Sequence, residues 1–373
     1  MIETTLGDLC IGKGSYGIGA SAIDYSIDLP AYLRITDIRD DGTLDLSTRK
    51  SVADPKASFY MLEENDIVFA RTGSSTGRNY FYDPRDGKFA YAGFLIKFSI
   101  DPDRVNPRYI KYYAQSKLYW DWIASFNSGS TRGNINAKTY EALPIMLPTR
   151  NTQNIIVSFL DSLSEKIRIN RKINDYLAKL ATLTFEAALK ESSTEVALGD
   201  IVYLEDSKRI PLNSRDREQR RGCYPYYGAA SIMDYINDYL FEGTRILLGE
   251  DGTVIHADGK PILQYVWGKY WVNNHAHVIN TSSDYSLETI YIALSRTNIS
   301  HIVTGAVQMK ISQKNLKSLK LAMPDPGIAI QLKSIFALYR ANIDINRLLD
   351  ELRDTLLPIL MTGRIDAKGL QCH

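Results

Sequence analysis

Two histidines are the first residues whose spacing could support chemistry. His275 and His277 are separated by one residue, and a β-strand at this point would direct both side chains to one face. That spacing is typical of metal ligands, but no Cys, Asp or Glu lies close by in the sequence to complete a site. We therefore expect a structural or hydrogen-bonding role for both histidines, and no metal site.

Three further patterns resemble catalytic motifs only in part. The run from Gly12 to Gly19 is rich in glycine, but it lacks the closing Gly-Lys-Ser/Thr of a phosphate-binding loop, and a tight turn is favoured. Glu250 and Asp251 form a carboxylate pair without the Glu-x-Lys that a nuclease would add. The stretch Asn106–Tyr109 is close to the Asn-Pro-Pro-Tyr motif of adenine methyltransferases, but Pro107 is typical of a helix start. We predict no catalytic residues in this chain.

Composition limits the class of protein. Three scattered cysteines, Cys10, Cys223 and Cys372, form neither a metal-ligand spacing nor a disulfide framework, which is typical of a reducing cytoplasm. The first residues include Glu3 and Asp8 and lead into no apolar stretch, and no apolar run reaches the roughly 18 residues of a membrane span. We expect a cytoplasmic protein with neither a signal peptide nor a membrane span.

Charge is balanced overall and clustered locally. The net charge is +1, and residues 1–150 and residues 196–325 each hold as many acidic as basic residues. Any nucleic-acid surface must therefore come from local clusters of cationic side chains. One such cluster lies within residues 208–221 and another within residues 310–320. An ordinary solvent-exposed loop or helix face is the alternative for each.

Two long helices are predicted to position these segments. Apolar residues recur at alternating steps of three and four from Ile156 onward, which is typical of a long amphipathic helix or a coiled coil. The same pattern returns 176 positions later, so that Ile167, for example, corresponds to Ile343. The one clear exception is Arg353, which corresponds to Leu177. An asparagine in each copy is expected to fix the register of a helix pair at some cost in stability. The predicted seam contains Ile156, Leu160, Leu163, Ile167, Asn170, Ile173, Leu180, Leu332, Phe336, Tyr339, Ile343, Asn346, Leu349 and Leu356.

A globular segment precedes each predicted long helix, and the two segments repeat one order of motifs. Leu6-Gly7-Asp8-Leu9 is echoed by Leu198-Gly199-Asp200-Ile201, and a helix predicted from Pro107 to Ile123 is echoed by one that begins near Thr289. We predict a mixed α/β (α+β) protein with a pseudo-twofold internal repeat, whose long helices pair as an antiparallel coiled coil. The predicted domains are residues 1–150, the helix 151–194, residues 195–325, and a second helix and short tail 326–373.

Six segments in this order resemble those of one known family. The chain resembles the specificity subunit of type I restriction–modification enzymes over essentially its whole length. The similarity of each segment alone is modest, but six similar segments in the same order, on a duplicated plan, are specific to the family. They are Tyr16–Ser21, Leu33–Ile38, Asp66–Gly73, Tyr224–Ala229, Leu248–Gly252 and Trp271–Val278.

The resemblance implies a function for each part of the chain. Each globular segment would be a target-recognition domain that reads one half of a split sequence in double-stranded DNA. The helices would set the spacing and dock two methyltransferase subunits, and nuclease–translocase subunits can join the assembly. The chain itself would perform no chemistry. S-adenosylmethionine, and ATP with Mg²⁺ for restriction, are expected on the partner subunits.

Polar and cationic loop residues are the candidates for DNA contact, because they can hydrogen-bond to base edges and neutralise phosphates. The balanced charge leaves one alternative open, a helical scaffold whose two globular segments bind protein or RNA. The candidates are Arg71, Thr72, Ser74, Arg78, Ser130, Thr131, Arg132, Asn134, Lys208, Arg209, Arg215, Arg217, Arg220, Arg221, Gln308 and Lys310.

Overall fold

A computed structural model describes residues 1–126, 134–305 and 308–363, and the chain divides into two compact units. Unit 1 comprises Met1–Arg168 and Asn346–His373, and unit 2 comprises Ile169–Ile345. Each unit contains one globular head and a part of each of two long helices. The four domains predicted along the chain divide it differently, and their boundaries remain a prediction.

Unit 1 contains the first head and the first helices. Two four-stranded sheets, ordered β2-β9-β6-β7 and β3-β5-β4-β8, lie in this head, and β1 pairs antiparallel with β10 where the head begins and ends. The helices are α1 (Pro107–Tyr113), α2 (Lys117–Ala124), α3 (Ala137–Glu141) and the long α4 (Arg150–Glu191), of which residues 150–168 belong to this unit. The strands are β1 (Ile2–Thr5), β2 (Ser15–Tyr16), β3 (Ile23–Asp24), β4 (Ala31–Leu33), β5 (Lys50–Ser51), β6 (Asp66–Ala70), β7 (Asn79–Phe81), β8 (Phe89–Tyr91), β9 (Leu95–Ser99) and β10 (Pro144–Leu147).

The central strand β6 is buried on both faces. Alternate side chains of a strand point to opposite faces. Ile67 and Phe69 accordingly pack into the core formed with the helices, where the rings of Phe69 and Tyr140 stack at 4.8 Å. Val68 and Ala70 pack toward the second sheet. This two-sided burial explains why the sequence of β6 is a continuous apolar run after Asp66.

The helix predicted from Pro107 to Ile123 starts as expected but is interrupted. Asn106 caps α1 by accepting a hydrogen bond from the Arg108 backbone N–H, with Pro107 in the first turn. Ser116 Oγ then donates to the Tyr113 carbonyl at 2.7 Å and caps α2. The Asn79 side chain donates to the Ala114 carbonyl at 2.7 Å. These local bonds compete with the helical ones, so two helices form.

Unit 2 repeats the plan of unit 1. Its four-stranded sheets are ordered β12-β19-β16-β17 and β14-β13-β18-β15, and β11 pairs antiparallel with β20. The helices are α5 (Leu198–Ile201), α6 (Ser214–Gln219), α7 (Leu287–Arg296), α8 (Gln313–Ser318) and the long α9 (Ala329–Met361). The strands are β11 (Thr194–Ala197), β12 (Tyr203–Leu204), β13 (Arg221–Tyr227), β14 (Ile232–Ile236), β15 (Phe241–Glu242), β16 (Arg245–Gly249), β17 (Leu263–Val266), β18 (Lys269–Val272), β19 (Ala276–Asn280) and β20 (Lys320–Met323).

The strand β16 takes the place of β6 in the second head. Ile246 and Leu248 pack into the core that contains the helices, and Leu247 packs toward the second sheet. The internal repeat predicted from the sequence is therefore a repeat of the fold. We call the parts from β1 to β10 and from β11 to β20 head 1 and head 2.

The long helices pair antiparallel within each unit. In unit 1, Asn346 Nδ2 donates to the Ile167 carbonyl at 3.5 Å, while Leu357 and Leu360 share a core with Ile156. In unit 2, Asn174 Nδ2 donates to the Tyr339 carbonyl at 3.1 Å, and Phe185 shares a core with Leu332. In both units the partner's residue number falls as the number along α4 rises, which confirms the antiparallel pairing.

The seam between the helices differs from the prediction at two positions of α4. Ile173 is 40% and Leu180 is 50% exposed, whereas Asn174 and Ala181 are buried instead. Beyond Asn170 the buried positions follow the helical repeat of about 3.6 residues rather than the alternating pattern. Of the other predicted seam residues, Tyr339, Ile343, Leu349 and Leu356 are partly buried and the rest are buried. No helix in the described part of the chain is both long enough and apolar enough to cross a bilayer.

Candidate nucleic-acid interface

Arg71 occupies a firmly held position at the end of β6. Its backbone N–H donates to the Phe94 carbonyl at 3.1 Å, and its own carbonyl accepts from the Ile135 N–H at 2.9 Å. The next residue, Thr72, forms a β-bridge with Asn134. Arg71 is therefore fixed between β9 and the segment that leads into α3.

The Arg71 side chain is held by two neighbours. Its guanidinium carbon lies 4.9 Å from the centre of the Tyr16 ring, and its Nε donates to Asn134 Oδ1 at 3.4 Å. Tyr16 is fixed in turn, because its hydroxyl accepts from the Ala137 N–H at 3.1 Å. Among the described residues, no carboxylate lies within ion-pair distance of Arg71. Its terminal N–H groups are hydrogen-bond donors at this edge of head 1.

The other candidates in head 1 have different surroundings. Arg78 forms an ion pair with Asp40 at 2.6 Å and donates to the Ile38 carbonyl at 3.3 Å, so this side chain anchors the turn. Ser74 is exposed, and Thr72 is partly buried. Gly73 and Gly77 have φ angles of 75° and 91°, which allow the chain to turn back within this short segment. The predicted contacts Ser130, Thr131 and Arg132 lie outside the described residues.

Head 2 holds an acidic residue at the position equivalent to Arg71. The Glu250 N–H donates to the His275 carbonyl at 2.8 Å, and the Glu250 carbonyl accepts from Ile311 at 2.8 Å. Asp251 forms a β-bridge with Lys310, as Thr72 does with Asn134. Glu250, His275 and Lys310 therefore occupy the places of Arg71, Phe94 and Asn134. The two heads share one backbone arrangement and present different side chains on it.

A charged network surrounds Glu250. Arg209, whose side chain is only 10% exposed, donates to Glu250 at 2.8 Å, and Lys310 Nζ lies 3.6 Å from the same carboxylate. Asp206 accepts from Gln313 at 2.6 Å and lies 2.7 Å from His277. Burial by itself would raise the pKa of Asp206, but the bonds from His277 and the Val278 N–H, with the charge of Arg209, lower it.

The network brings together three groups that could ligate a metal ion. Oxygen and nitrogen atoms of Asp206, Glu250 and His277 lie within 4.8 Å of one another. Both ring nitrogens of His277 already face acceptors, Asp206 and the Ile311 carbonyl at 2.8 Å, so neither is available to a cation. Arg209 already supplies positive charge between the two carboxylates. Hydrogen bonds and ion pairs thus join the three groups to Arg209 in a salt-bridge network.

The two histidines do not share the face expected from their spacing. His277 is buried in β19, whereas His275 lies in the preceding turn, where its N–H donates to Asn273 Oδ1 at 2.8 Å. The His275 ring hydrogen-bonds with Asp251. Because the turn interrupts the strand, the two-residue repeat of side-chain direction does not reach His275.

Two of the candidate arginines of head 2 serve the fold. Arg209 also donates to the Ala276 carbonyl at 2.6 Å, and Arg217 donates to the Leu212 carbonyl at 2.8 Å and pairs with Asp234. Their guanidinium groups are largely buried and already bonded, and their contact with DNA remains a prediction. Lys208 pairs with Glu205, yet its side chain is 61% exposed. The remaining candidates of head 2 are at least partly exposed: Arg215, Arg220, Arg221, Gln308 and Lys310.

Sequence reasoning found part of the site and missed part of it. The structure brings Arg71, Thr72 and Asn134 together, as it does Arg209 and Lys310 through Glu250. Tyr16 belongs to the glycine-rich run and to one of the six family-like segments, but it was not among the predicted DNA contacts. The one available signal was an aromatic residue between Ser15 and Gly17. Gly17 itself is required there, because a Cβ would lie 2.3 Å from the Tyr91 and Ala92 carbonyl oxygens.

The architecture of the described residues is a duplication. One head fold occurs twice, each copy joined to a shared pair of antiparallel helices, with exposed polar side chains at one edge of each head. This is the organisation of a duplicated recognition protein. The sequence model of the family described as type I restriction modification DNA specificity domain matches residues 5–179 and again residues 190–349. The chain belongs to this family and carries two tandem specificity domains.

Individual relatives agree with this assignment. The chain is 20% identical over 330 residues to the Escherichia coli type I restriction enzyme EcoprrI specificity subunit, covering 83% of this chain and 79% of that one. It is 28% identical over 138 residues to S.HindORF215P of Haemophilus influenzae, assigned as a type I restriction enzyme specificity subunit, and there spans 35% of the relative's length. The crystal structure of a type I restriction-modification S subunit from M. genitalium has the same fold, with a TM-score of 0.55 and 19% identity, covering 96% of this chain and 95% of that one.

Proposed function

We propose that this chain is the DNA-specificity subunit of a type I restriction–modification enzyme, in which each head reads one half of a bipartite target in double-stranded DNA. The observation that carries the proposal is the pair of equivalent edges. Head 1 places Arg71 and Asn134 where head 2 places Glu250 and Lys310. One fold with two sets of polar side chains suits the reading of two different half-sites.

The proposed DNA contacts are the candidate side chains that are at least partly exposed and do not support the backbone of their head. In head 1 they are Arg71, Thr72, Ser74 and Asn134. In head 2 they are the exposed cations and Gln308, of which the lysines and arginines would neutralise phosphates. Arg78, Arg209 and Arg217 hold the backbone that presents them. Ser130, Thr131 and Arg132 remain predicted contacts.

The proposed partners are two methyltransferase subunits and, for restriction, nuclease–translocase subunits. The chain itself would be non-catalytic and cytoplasmic, with S-adenosylmethionine, ATP and Mg²⁺ on the partners. The surface that we propose for a partner helix lies on α4 in unit 2. Its exposed apolar residues recur at steps of four and three, which is the spacing of a coiled-coil seam, and Lys172 and Lys179 flank them seven residues apart. These residues, the outer stripe, are Ile169, Ile173, Tyr176, Leu180 and Leu183.

The occupant that fits this outer stripe is a methyltransferase helix with apolar residues at heptad spacing and acidic residues beside them. Coiled-coil partners pack apolar knobs in the seam and pair opposite charges on its flanks. Lys172 and Lys179 therefore favour a partner whose flanks are acidic. The inner face of α4 is already covered by α9, as the bond from Asn174 to Tyr339 shows.

The deciding experiment is a map of DNA methylation. The chain is co-expressed with the neighbouring methyltransferase in a host that lacks adenine methylation, and modified adenines are located across the genome. A split motif with two defined halves supports the proposal. A single continuous half would show that only one head reads DNA. A stable complex that modifies no DNA would overturn the proposal in favour of a scaffold for protein or RNA.

Salt dependence provides a second measurement on the assembled complex. Phosphate contacts release counterions, so the affinity for duplex DNA should fall steeply as the salt concentration rises. Removing the exposed cations Arg220 and Arg221 together should reduce that slope by about two contacts. An affinity that does not depend on salt would contradict a DNA role for this surface.

A further inference from the structure

Arg71 differs from three of the other candidate arginines in its electrostatic surroundings. Arg78, Arg209 and Arg217 each pair with a carboxylate, of Asp40, Glu250 and Asp234 respectively. Arg71 instead faces the Tyr16 ring and the amide oxygen of Asn134. Both neighbours attract a guanidinium group without neutralising its charge. The full positive charge is therefore kept at the edge of head 1.

Within the described part of the chain, the terminal N–H groups of Arg71 make no hydrogen bond. Asn134 accepts from Nε, and the Tyr16 ring covers one face, so the terminal N–H groups remain as a planar pair of donors. A guanine in the major groove offers two acceptors, O6 and N7, at a spacing that matches this pair. Lysine lacks the planar fork and cannot make the same two bonds at once.

The support behind Arg71 is rigid. Its backbone is bonded on both sides, to Phe94 and Ile135, and the Tyr16 hydroxyl is bonded to Ala137. A side chain that is already oriented loses less conformational freedom on binding, which favours specificity for one base. Phe94 adjoins Arg71 across the sheet and is 60% exposed.

We propose that Arg71 reads a guanine in the half-site of head 1, and that Tyr16 and Asn134 are the residues that position it. This inference rests on the proposed function, because it names the base that head 1 recognises. Head 2 has Glu250 at the equivalent position, bonded to Arg209, so the same contact is absent from its half-site. The guanine therefore belongs to one half of the target only.

The first test maps the methylation motifs of complexes that carry Arg71→Ala or Arg71→Lys. In the wild-type motif, one half contains an invariant guanine. Both variants are expected to accept other bases at that position, with the preference for guanine falling about 10- to 100-fold, while the other half of the motif stays unchanged. Lys88→Ala, which removes an exposed positive charge from head 1, is the control and should keep the guanine.

The positioning residues have a test of their own. Tyr16→Leu and Asn134→Ala should relax the preference for guanine without changing the thermal unfolding temperature of the complex beyond that of the control. Tyr16→Phe keeps the ring over Arg71 and should retain the preference. If Tyr16→Leu lost the preference for guanine and also lowered the amount of folded complex to a similar extent, Tyr16 would have a merely structural role.

A chemical probe provides a measurement that does not depend on folding of the Arg71 variants. Duplexes with 7-deazaguanine at the proposed position lack the N7 acceptor. The wild-type complex should bind them about 10-fold more weakly than duplexes with guanine. Equal binding by the wild-type complex would overturn the inference, as would an unchanged motif in the Arg71 variants. A wild-type complex with no split motif would instead overturn the proposed function, so the two failures are distinguishable.

Discussion

Asp206 stands at the centre of the charged network in head 2, where groups from several segments meet its carboxylate. His277 comes from β19, Gln313 from α8 and Arg209 from the loop before α6. Glu250, which follows β16, and Lys310, in the segment before α8, belong to the same network and take the places of Arg71 and Asn134. The network therefore determines both the stability of head 2 and the position of the side chains that it presents.

Replacing Asp206 by Asn should destabilise the protein by about 3 kcal/mol at pH 7, because the largely buried Arg209 loses a counter-charge. The pKa of Asp206 is lowered in the folded state, so the ionised carboxylate favours folding. That contribution is complete above the usual pKa of 3.8 and is lost as the pH falls through the lowered value. The difference from wild type, measured by urea unfolding between pH 7 and pH 3.5, should persist until the pH approaches 3.8 and shrink below it.

Asp258→Asn is the matched control for this prediction. Asp258 is an exposed carboxylate of the same head, and a hydrogen bond from Lys260 lowers its pKa as well. Because water screens that ion pair, the control should change stability far less. A loss in Asp206→Asn no larger than that of the control at pH 7 would contradict the proposed importance of the network.

Loop composition indicated some of the residues that the structure brings together, whereas partners that depend on strand register were not indicated; contact with DNA stays a prediction for all of them. Arg71 and Asn134 were found because polar residues follow an apolar strand and precede a helix. Tyr16 lies 121 positions before Ala137, and the two meet because β2 pairs with β9 in one register. Similarly, nothing in the sequence around Glu250 indicates Arg209 as its partner. Such pairings depend on long-range packing that local patterns do not encode.

At the level of elements, α4 carries two apolar stripes that overlap in sequence. The inner stripe packs on α9, and the outer stripe of exposed residues lies on another face. The predicted seam mixed the two, because a period of 3.5 residues lets a straight helix drift from one face to the next. The existence and antiparallel pairing of the helices could be predicted. The face that each apolar residue occupies required the structure.

Charge on the outer stripe should abolish partner docking. Ile173→Glu combined with Leu180→Glu places two carboxylates on the seam that the methyltransferase helix is proposed to cover. We expect the purified chain to fold as before but to lose co-purification of the methyltransferase. Ile330→Glu, at a residue of α9 that is 76% exposed and outside the stripe, is the control. Normal co-purification of the double variant would exclude the outer stripe as the docking surface.

Asn174 and Asn342 should act as a coupled pair in the helix interface of unit 2. Asn342 Nδ2 donates to Asn174 Oδ1 at 2.9 Å, and Asn174 in turn donates to the Tyr339 carbonyl. Replacing only one by Leu leaves a polar group without its partner and should cost about 1–3 kcal/mol. Replacing both should recover at least about 1 kcal/mol of that loss. Thermal unfolding of the two single variants and the double variant measures this coupling, and purely additive effects would contradict it.

At the level of the whole molecule, both heads are attached in the same manner. In head 1 the first strand pairs with the last, Ile2 opposite Leu147, and in head 2 Thr194 is opposite Met323. Each head thus enters and leaves through one two-stranded ladder next to a long helix. Because each head is closed by its own ladder, a change of sequence inside the head leaves the long helices unaffected. This closure explains how the sequences of the heads could diverge while the helix seam kept its repeat.

The same closure makes the heads exchangeable. Replacing residues 194–323 by a second copy of residues 2–147 preserves a ladder at the junction and removes Glu250 together with its network. The methylation motif of the complex should then carry the base preference of head 1 in both of its defined halves, including the guanine assigned to Arg71. The complementary variant, with head 2 in both places, should lose that guanine from the motif altogether.

If either exchange left a folded complex whose motif changed in the half belonging to the untouched head, specificity would arise from the two heads jointly. The ladders would then attach the heads to the helices without making the two heads independent in DNA recognition. A change confined to the exchanged half would show that each head carries its readout in its own backbone and side chains.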